Sequence, residues 1–450
     1  MHGESRITAL LRQALRASTA GQTEVMITAE DSFLTRFANS AVHQNVAERN
    51  ATLSVRAVDG TKIGAASTNI LSDEAVRRTV KQACAIAKVQ RDNPDFVSLP
   101  RPVKATLKAP RLFYAGTANC SARQRAAGAK IVCDLADRHG AQAYGAFSTG
   151  TAEIGIANSL GVTQYACCTD AYVNTIAMTA TGAGYAQGAA RDVGALDLRA
   201  IAAHAVRKAV DSQRPAALRP GRYEVVLEPT AVATFLEFLA GGFSALAVQE
   251  GHSFMGLNMG KRIVHPSVTI GDDAYSASGL AFPFDFEGLP RQRVTLIDRG
   301  VARAVVHNSY TANKEKTQST GHGTGSFFPY PMNLTMRGGD SSLKKMVASV
   351  GRGVYVTRFN YCNIIDPMKV EITGMTRDGT FLIEDGKITK PVRNLRFTES
   401  VLKALSNVTA ISRDVTLVSE GNSYGSRFAA GVVVPALQVE DFNFTGTTEF

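Results

Sequence analysis

The sequence has no tryptophan, no C-x-x-C pair, no H-E-x-x-H run and no unbroken apolar stretch near the ~18 residues a membrane-crossing helix needs. The missing tryptophan excludes nothing. Without C-x-x-C spacing, the six cysteines (84, 120, 133, 167, 168 and 362) show no metal or redox motif, and the neighbours Cys167 and Cys168 are badly placed to bridge each other. Reduced thiols of a cytoplasmic protein fit this usage. The first residues, "MHGESRITALLRQALRAS", carry charge and read as an amphipathic helix through Ile7, Leu10, Leu11, Ala14 and Leu15, so no secretory signal is expected. Basic runs are also missing. Lys and Arg outnumber Asp and Glu by 49 to 39, a formal charge of +10, but they stand singly or in pairs such as Arg77-Arg78 and Lys344-Lys345. That pattern reads as a solvated basic surface, with neither nucleic acid nor membrane as a partner.

What is present is an ordinary globular composition, 45% hydrophobic and 20% charged, in a chain of 450 residues that can bury two or three cores. Residues 1–215 alternate helices with strands. "ATLSVRAVDGTKIGAAST" alternates into an Asp59-Gly60 turn, Ser72 caps a helix that runs to about Val89, and Cys84 shares that helix's apolar face. A second helix through 121–139 stops at Gly140. Four short strands are expected next ("AQAYGAFS", "TAEIGIAN", "GVTQYACC", "AYVNTIAMTA"), two of them joined at Asn158-Ser159-Leu160-Gly161, followed by the helix "LRAIAAHAVRKAVDSQ". "QRPAALRPGRY", residues 213–223, has no periodicity and reads as a boundary. Residues 222–450 shift towards strands and glycine, with tight turns expected at Asp378-Gly379 and Asp385-Gly386. The class is α+β: a helix/strand N-terminal domain and an antiparallel, strand-rich C-terminal domain.

Candidate chemistry centres on "TFLEFLAGGFSALA", residues 234–247, where Glu237 stands in an otherwise apolar helix. A glutamate so placed is the general base of metallopeptidases whose helix sets it between two imidazoles. The flanking positions here are Leu236, Ala240 and Gly241, none of which binds zinc. Glu237 therefore reads as a structural carboxylate unless something else supplies a metal. "GHSFMG" lacks the last glycine of a nucleophile elbow, so Ser253 reads as a loop hydroxyl. "STGHGTGS" (319–326) matches no phosphate loop and reads as a flexible loop lining a cleft. His252, His265, His307 and His322 are too scattered to form a visible ligand set, and Asp272-Asp273 fits an Asx turn as well as a cation site.

"GAASTNILSDEAVRRTVKQACAIAK", "GHSFMGLNMGKRIVHPSVTIGDDA", "FPFDFEGLPRQRVTLIDRGVARAVVHNSYTANKE" with the following "STGHG", and "TRDGTFLIEDGKITKPVRNLRFTESVL" together resemble the TldD/PmbA family, also called the modulator of DNA gyrase family. The likeness runs in order from about residue 24 to the end. It implies a two-domain fold and a zinc metallopeptidase made of two related subunits, one carrying an H-E-x-x-x-H helix and a later cysteine ligand. That helix falls on residues 236–241, where only Glu237 is retained, and "GNSYGSRFAAGVVVPALQV" has no cysteine. By resemblance this is the metal-free subunit, binding no cofactor of its own, with zinc in a TldD-like partner. Glu237 is then a relic of the catalytic base. Ser319, Thr320, Gly321, His322, Gly323 and Asn333 are the expected cleft-lining residues.

Two functions follow. One is the partner subunit of a heterodimeric peptidase that processes or degrades unfolded peptides. The other is a non-enzymatic homodimer that captures peptides or modulates a partner such as gyrase. A chemistry of its own, using His252, His322 and the Asp272-Asp273 pair, is a third alternative.

Overall fold

The computed structural model describes residues 1–280, 282–419 and 427–448. Its first half is built on one antiparallel sheet of six strands, β1 (Gln22–Ala38), β2 (Ala41–Asp59), β3 (Lys62–Thr68), β4 (Gln142–Asn158), β5 (Thr163–Met178) and β6 (Ala183–Ala190), in the order β3-β2-β1-β4-β5-β6. The strands are longer than the sequence suggests. β1 and β2 run unbroken into a two-residue hairpin at Asn39 and Ser40, both at positive φ as such loops require. The four short strands expected after Gly140 are two long ones, β4 and β5. The Ser148–Thr151 stretch that looked like a break stays in the ladder because β1 and β5 hold it from both sides.

Alternation along these strands divides the work of the two sheet faces. Val25, Ile27, Leu53, Val55 and Ala57 meet α1 (Glu4–Ala17) and α2 (Asp73–Val89), where Ile7, Leu11, Val76, Val80 and Cys84 complete a core. The Ser72 hydroxyl caps α2 by accepting from the Ala75 N–H. A single turn, α3 (Ala115–Ala118), precedes α4 (Ala122–Arg138), which with α5 (Leu198–Asp211) covers the other half of the same face through an alanine-rich core. The opposite face, with Met26, Ala152, Ile154, Ile156 and Cys168, packs on Phe282, Phe284, Phe286 and Phe428 of the second half.

That half begins at β7 (Gly221–Leu227) and α6 (Pro229–Ala240). Ten further strands follow: β8 (Ile270–Asp272), β9 (Val294–Asp298), β10 (Val301–Ala302), β11 (Leu334–Met336), β12 (Arg352–Asp366), β13 (Glu371–Glu384), β14 (Lys387–Pro391), β15 (Leu395–Ser400), β16 (Val408–Val418) and β17 (Val432–Thr447). Neighbouring pairs run β17-β15-β13-β12-β7, and β17 also pairs with β7, so these five strands close into a ring without free edges. Asp385-Gly386 makes the expected hairpin turn between β13 and β14. Asp378-Gly379 does not turn the chain. Both residues sit at positive φ inside β13, opposite a register shift between Val356 and Arg358, and form a bulge that aims the Asp378 carboxylate at Arg358 Nε (2.7 Å).

Three phenylalanines tie α6 to the ring. Phe235 stacks on Phe359 and Phe442, at 5.8 and 6.4 Å, and Phe359 lies 5.7 Å from Phe442. Replacing Phe442 by alanine removes the ring that touches both neighbours and leaves a void; an equilibrium denaturant titration is expected to show a loss of about 3–5 kcal/mol.

Candidate functional site

Helix α6 decides what Glu237 can do. Pro229 starts it at a position where no N–H is needed, and Phe235, Leu236, Leu239 and Ala240 turn into the core. Glu237 lies on the solvent side, at the rim of a cavity of about 530 Å³ that also meets Tyr330, Met332, Val418 and Phe428. Burial, with the nearby Glu237 charge, raises the Tyr330 hydroxyl and pushes the Cys362 thiol up to about 12. A zinc ion does not fit here. Leu236 is 0% exposed inside the core and Gly241 has no side chain, so neither flanking position offers a donor. No group of three or more His, Cys, Asp or Glu is placed to hold a metal among the described residues. The segment where the family's cysteine would fall begins with 421–426, which lie outside the described residues.

The glycine-rich loop forms part of a buried clasp. Gly321, His322 and Gly323 are buried, while Ser319 and Thr320 are half-buried. His322 Nε2 lies 3.0 Å from Asp272 Oδ1, and the Asn333 N–H donates to the other Asp272 oxygen at 2.7 Å. Burial alone would raise the Asp272 carboxyl, but His322, Arg291 and that N–H outweigh it and hold it below the usual range. Arg291 donates to the Gly321 carbonyl (3.2 Å) and the Asn333 side chain (2.6 Å). Gly321 has φ +71, and a Cβ there would meet the Pro290 carbonyl at 2.2 Å, so only glycine suits the position. The Gly323 N–H donates to Asp285 at 2.7 Å, fastening the loop to "FDFEGLP".

The remaining candidates are local. Asp273 pairs with Arg293 at 3.0 Å and caps the Tyr275 N–H; Asp272 is committed to the clasp. Ser253 donates to the Gly242 carbonyl and accepts from the Met255 N–H, which is a loop role. His307 lies against Glu315 at 3.8 Å, and His265 bonds Ser267 at 2.8 Å.

The groups that shape the interdomain space escaped sequence reading. The Arg427 side chain is 1% exposed and sends Nε and Nη2 to Asp170 at 2.7 and 2.6 Å, and Nη1 to Ser148 at 2.9 Å, joining the second half to the first sheet. Arg56 on β2 lies between Glu24 (3.0 Å) and Glu287 (3.6 Å), a second bond between halves. Asp170, a lone charge in the apolar "YACCTDAYV", was the available signal, since a carboxylate there must be paired if buried. Three cavities follow one another between the halves. One of about 350 Å³ beside Glu24 and Arg56 shares Met26, Phe286 and Thr324 with a middle one of about 370 Å³. The middle one shares Met332 and Phe428 with the cavity at Glu237.

Residues 220–446 match the model of the PmbA/TldA metallopeptidase C-terminal domain, and residues 23–87 match PmbA/TldA metallopeptidase domain 1. The chain belongs to the PmbA/TldD family. Among curated relatives, a metalloprotease of Methanothermobacter thermautotrophicus is 25% identical over 226 residues, 49% of each chain, so the match spans about half of that relative. Metalloprotease PmbA of Escherichia coli O157:H7 is 25% identical over 364 residues, 78% of each chain. TldE from Thermococcus kodakarensis superposes with a TM-score of 0.87 at 20% identity, over 98% of this chain and 100% of that one, which establishes the two-domain α+β fold and nothing finer. No helix among the described residues is long and apolar enough to cross a membrane.

The clasp has a pH signature. Burial and the neighbouring Glu287 push Asp285 up to about 7, against three N–H donors. A carboxyl raised above its unfolded value of 3.8 takes up a proton on folding, so its stabilising contribution is full below that value and is lost as pH rises through about 7. Burial likewise raises Glu24. Burial lowers the His322 and His307 imidazoles, which act in the opposite sense, so the Asp285 contribution is read by difference: the urea midpoint of wild type relative to Asp285→Asn is expected to fall from pH 5 to pH 8.

Proposed function

We infer that this chain is the metal-free subunit of a two-subunit zinc peptidase of the PmbA/TldD kind, acting on unfolded peptides in degradation or peptide maturation. The observation that carries the reading is the helix α6 face. It keeps the glutamate at the cleft and turns Leu236 into the core, while Gly241 offers no ligand, so α6 supplies no zinc donor beside the glutamate, which supports a partner that carries the metal. Without metal-bound water, Glu237 has no nucleophile to activate. Its role here is to give the cleft wall negative charge.

What this chain contributes is shape. Three joined cavities in series suit an extended chain and exclude a folded domain. β2 pairs with β3 only over Leu53–Asp59, so the outer edge of Ala41–Thr52 has no strand beside it among the described residues. A peptide laid there would gain backbone hydrogen bonds. Six free thiols agree with a cytoplasmic setting. The alternative reading, a homodimeric peptide-binding or regulatory protein, draws on the same cavities, because they lie within one chain.

Pull-down of the tagged chain from its native cells, with mass spectrometry and zinc analysis, separates the two. A homologue bearing the H-E-x-x-x-H helix, with about one zinc per pair, is expected. In that complex Glu237→Gln should leave peptidase activity within about twofold, whereas loss of an acting general base costs on the order of 10²-fold or more. Recovery of the chain alone, without zinc, would favour the homodimer.

A further inference from the structure

The chain is strongly basic overall, yet its interdomain cleft carries a carboxylate at each cavity: Glu24, Glu30 and Glu237. The two guanidinium groups that reach this region are already committed. Arg56 lies between Glu24 and Glu287, and Arg427 directs its side chain at Asp170 and Ser148.

The middle cavity is the most enclosed by aromatic and sulfur groups. Phe282, Phe286 and Phe428 meet there, with the Phe428 ring 5.4 Å from each of the other two, and Met26 and Met332 complete the walls. Glu30, on the same face of β1 as Met26, stands at one side and is 8% exposed. It accepts from the Asn50 amide at 3.1 Å and from the Arg427 backbone N–H. Burial holds its carboxyl above the ordinary range, a cost that an incoming cation would relieve.

A box of aromatic faces and thioethers with a carboxylate at its side matches a long aliphatic stem that ends in a positive charge. The stem buries against the rings while the head finds ring faces and a charge-assisted hydrogen bond. We propose that the middle cavity is a subsite for a Lys or Arg side chain of an extended peptide, with Glu30 reading the charge. A neutral apolar side chain would fill the same walls but leave the carboxylate desolvated beside it, and an acidic one would be repelled. This selectivity rests on the peptide-cleft reading above.

The test is fluorescence anisotropy with labelled, unstructured peptides that differ only in a central Lys, Arg, norleucine or Glu, titrated with the full chain. Wild type is expected to bind the Lys and Arg peptides ~10-fold more tightly than the norleucine one. Glu30→Gln should erase that preference, since it removes both the charge that pairs with the Lys or Arg head and the carboxylate left desolvated beside norleucine. Thr28→Lys, which places an ammonium group in the cavity from the neighbouring β1 position, should erase it too. Thermal melts of both variants confirm that they fold. Equal binding of Lys and norleucine peptides by wild type, or a preference that survives in folded Glu30→Gln, overturns the subsite and leaves the cleft reading standing. If no peptide binds wild type, the cleft reading itself fails and the subsite falls with it.

Discussion

The Arg427 guanidinium meets the Asp170 carboxylate at 2.6 Å with almost no water at either group, and this contact sets the distance between the two halves. Neither charge can be left alone. Removing one partner of a buried pair strands the other in an apolar setting, at a cost of about 3–5 kcal/mol, so the pair acts as a fixed strut. Ser148 and Ser32 take up further guanidinium hydrogens, and the Arg427 N–H reaches Glu30. One residue thus anchors the end of the 427–430 stretch to β1, β4 and β5 at once. The spacing of the cavities depends on it.

A second tie works at the other end of the same interface. Arg56 of β2 meets Glu287, whose carboxylate also accepts from the Ser309 N–H and hydroxyl at 2.8 and 2.7 Å. Asp285, two residues earlier, holds the glycine-rich loop. Carboxylates outnumber cations here, since Arg56 alone lies between Glu24 and Glu287. Burial and the like charge of Glu287 raise the Asp285 carboxyl, and burial raises Glu24, so this end of the interface is tied to pH.

Between these ties, the space is defined by what each face can bury. The first sheet spends one face on four helices, so its other face must be covered by the second half or stay wet. Coverage is complete around Ile156 and Cys168 and incomplete around Met26, Thr28 and Glu30. A cleft results where the aromatic loops stand off the sheet. The acids on its walls follow from the strand alternation that placed Glu24, Met26, Thr28 and Glu30 on one face.

Local features were legible in the residues. The Ser72 cap, the Asp385-Gly386 hairpin, the amphipathic first helix and the absence of metal ligands beside Glu237 all depend on a few neighbouring positions. Strand length was not legible, because β4 and β5 are buried on both faces and lose the alternation that marks a half-exposed strand. The Asp378-Gly379 pair looks like a turn locally, yet it becomes a bulge because β12 pairs with both sides of it. The glycine-rich loop reads as open and mobile, but Arg291 and Asp285, distant in sequence, pull it into a clasp. Sequence by itself determined which helix carries the glutamate and that no imidazole accompanies it, since both are matters of adjacent residues. Only the tertiary structure decided where the acids converge, because the Arg427–Asp170 contact joins positions 257 residues apart and its energy exists only once water has been excluded from both.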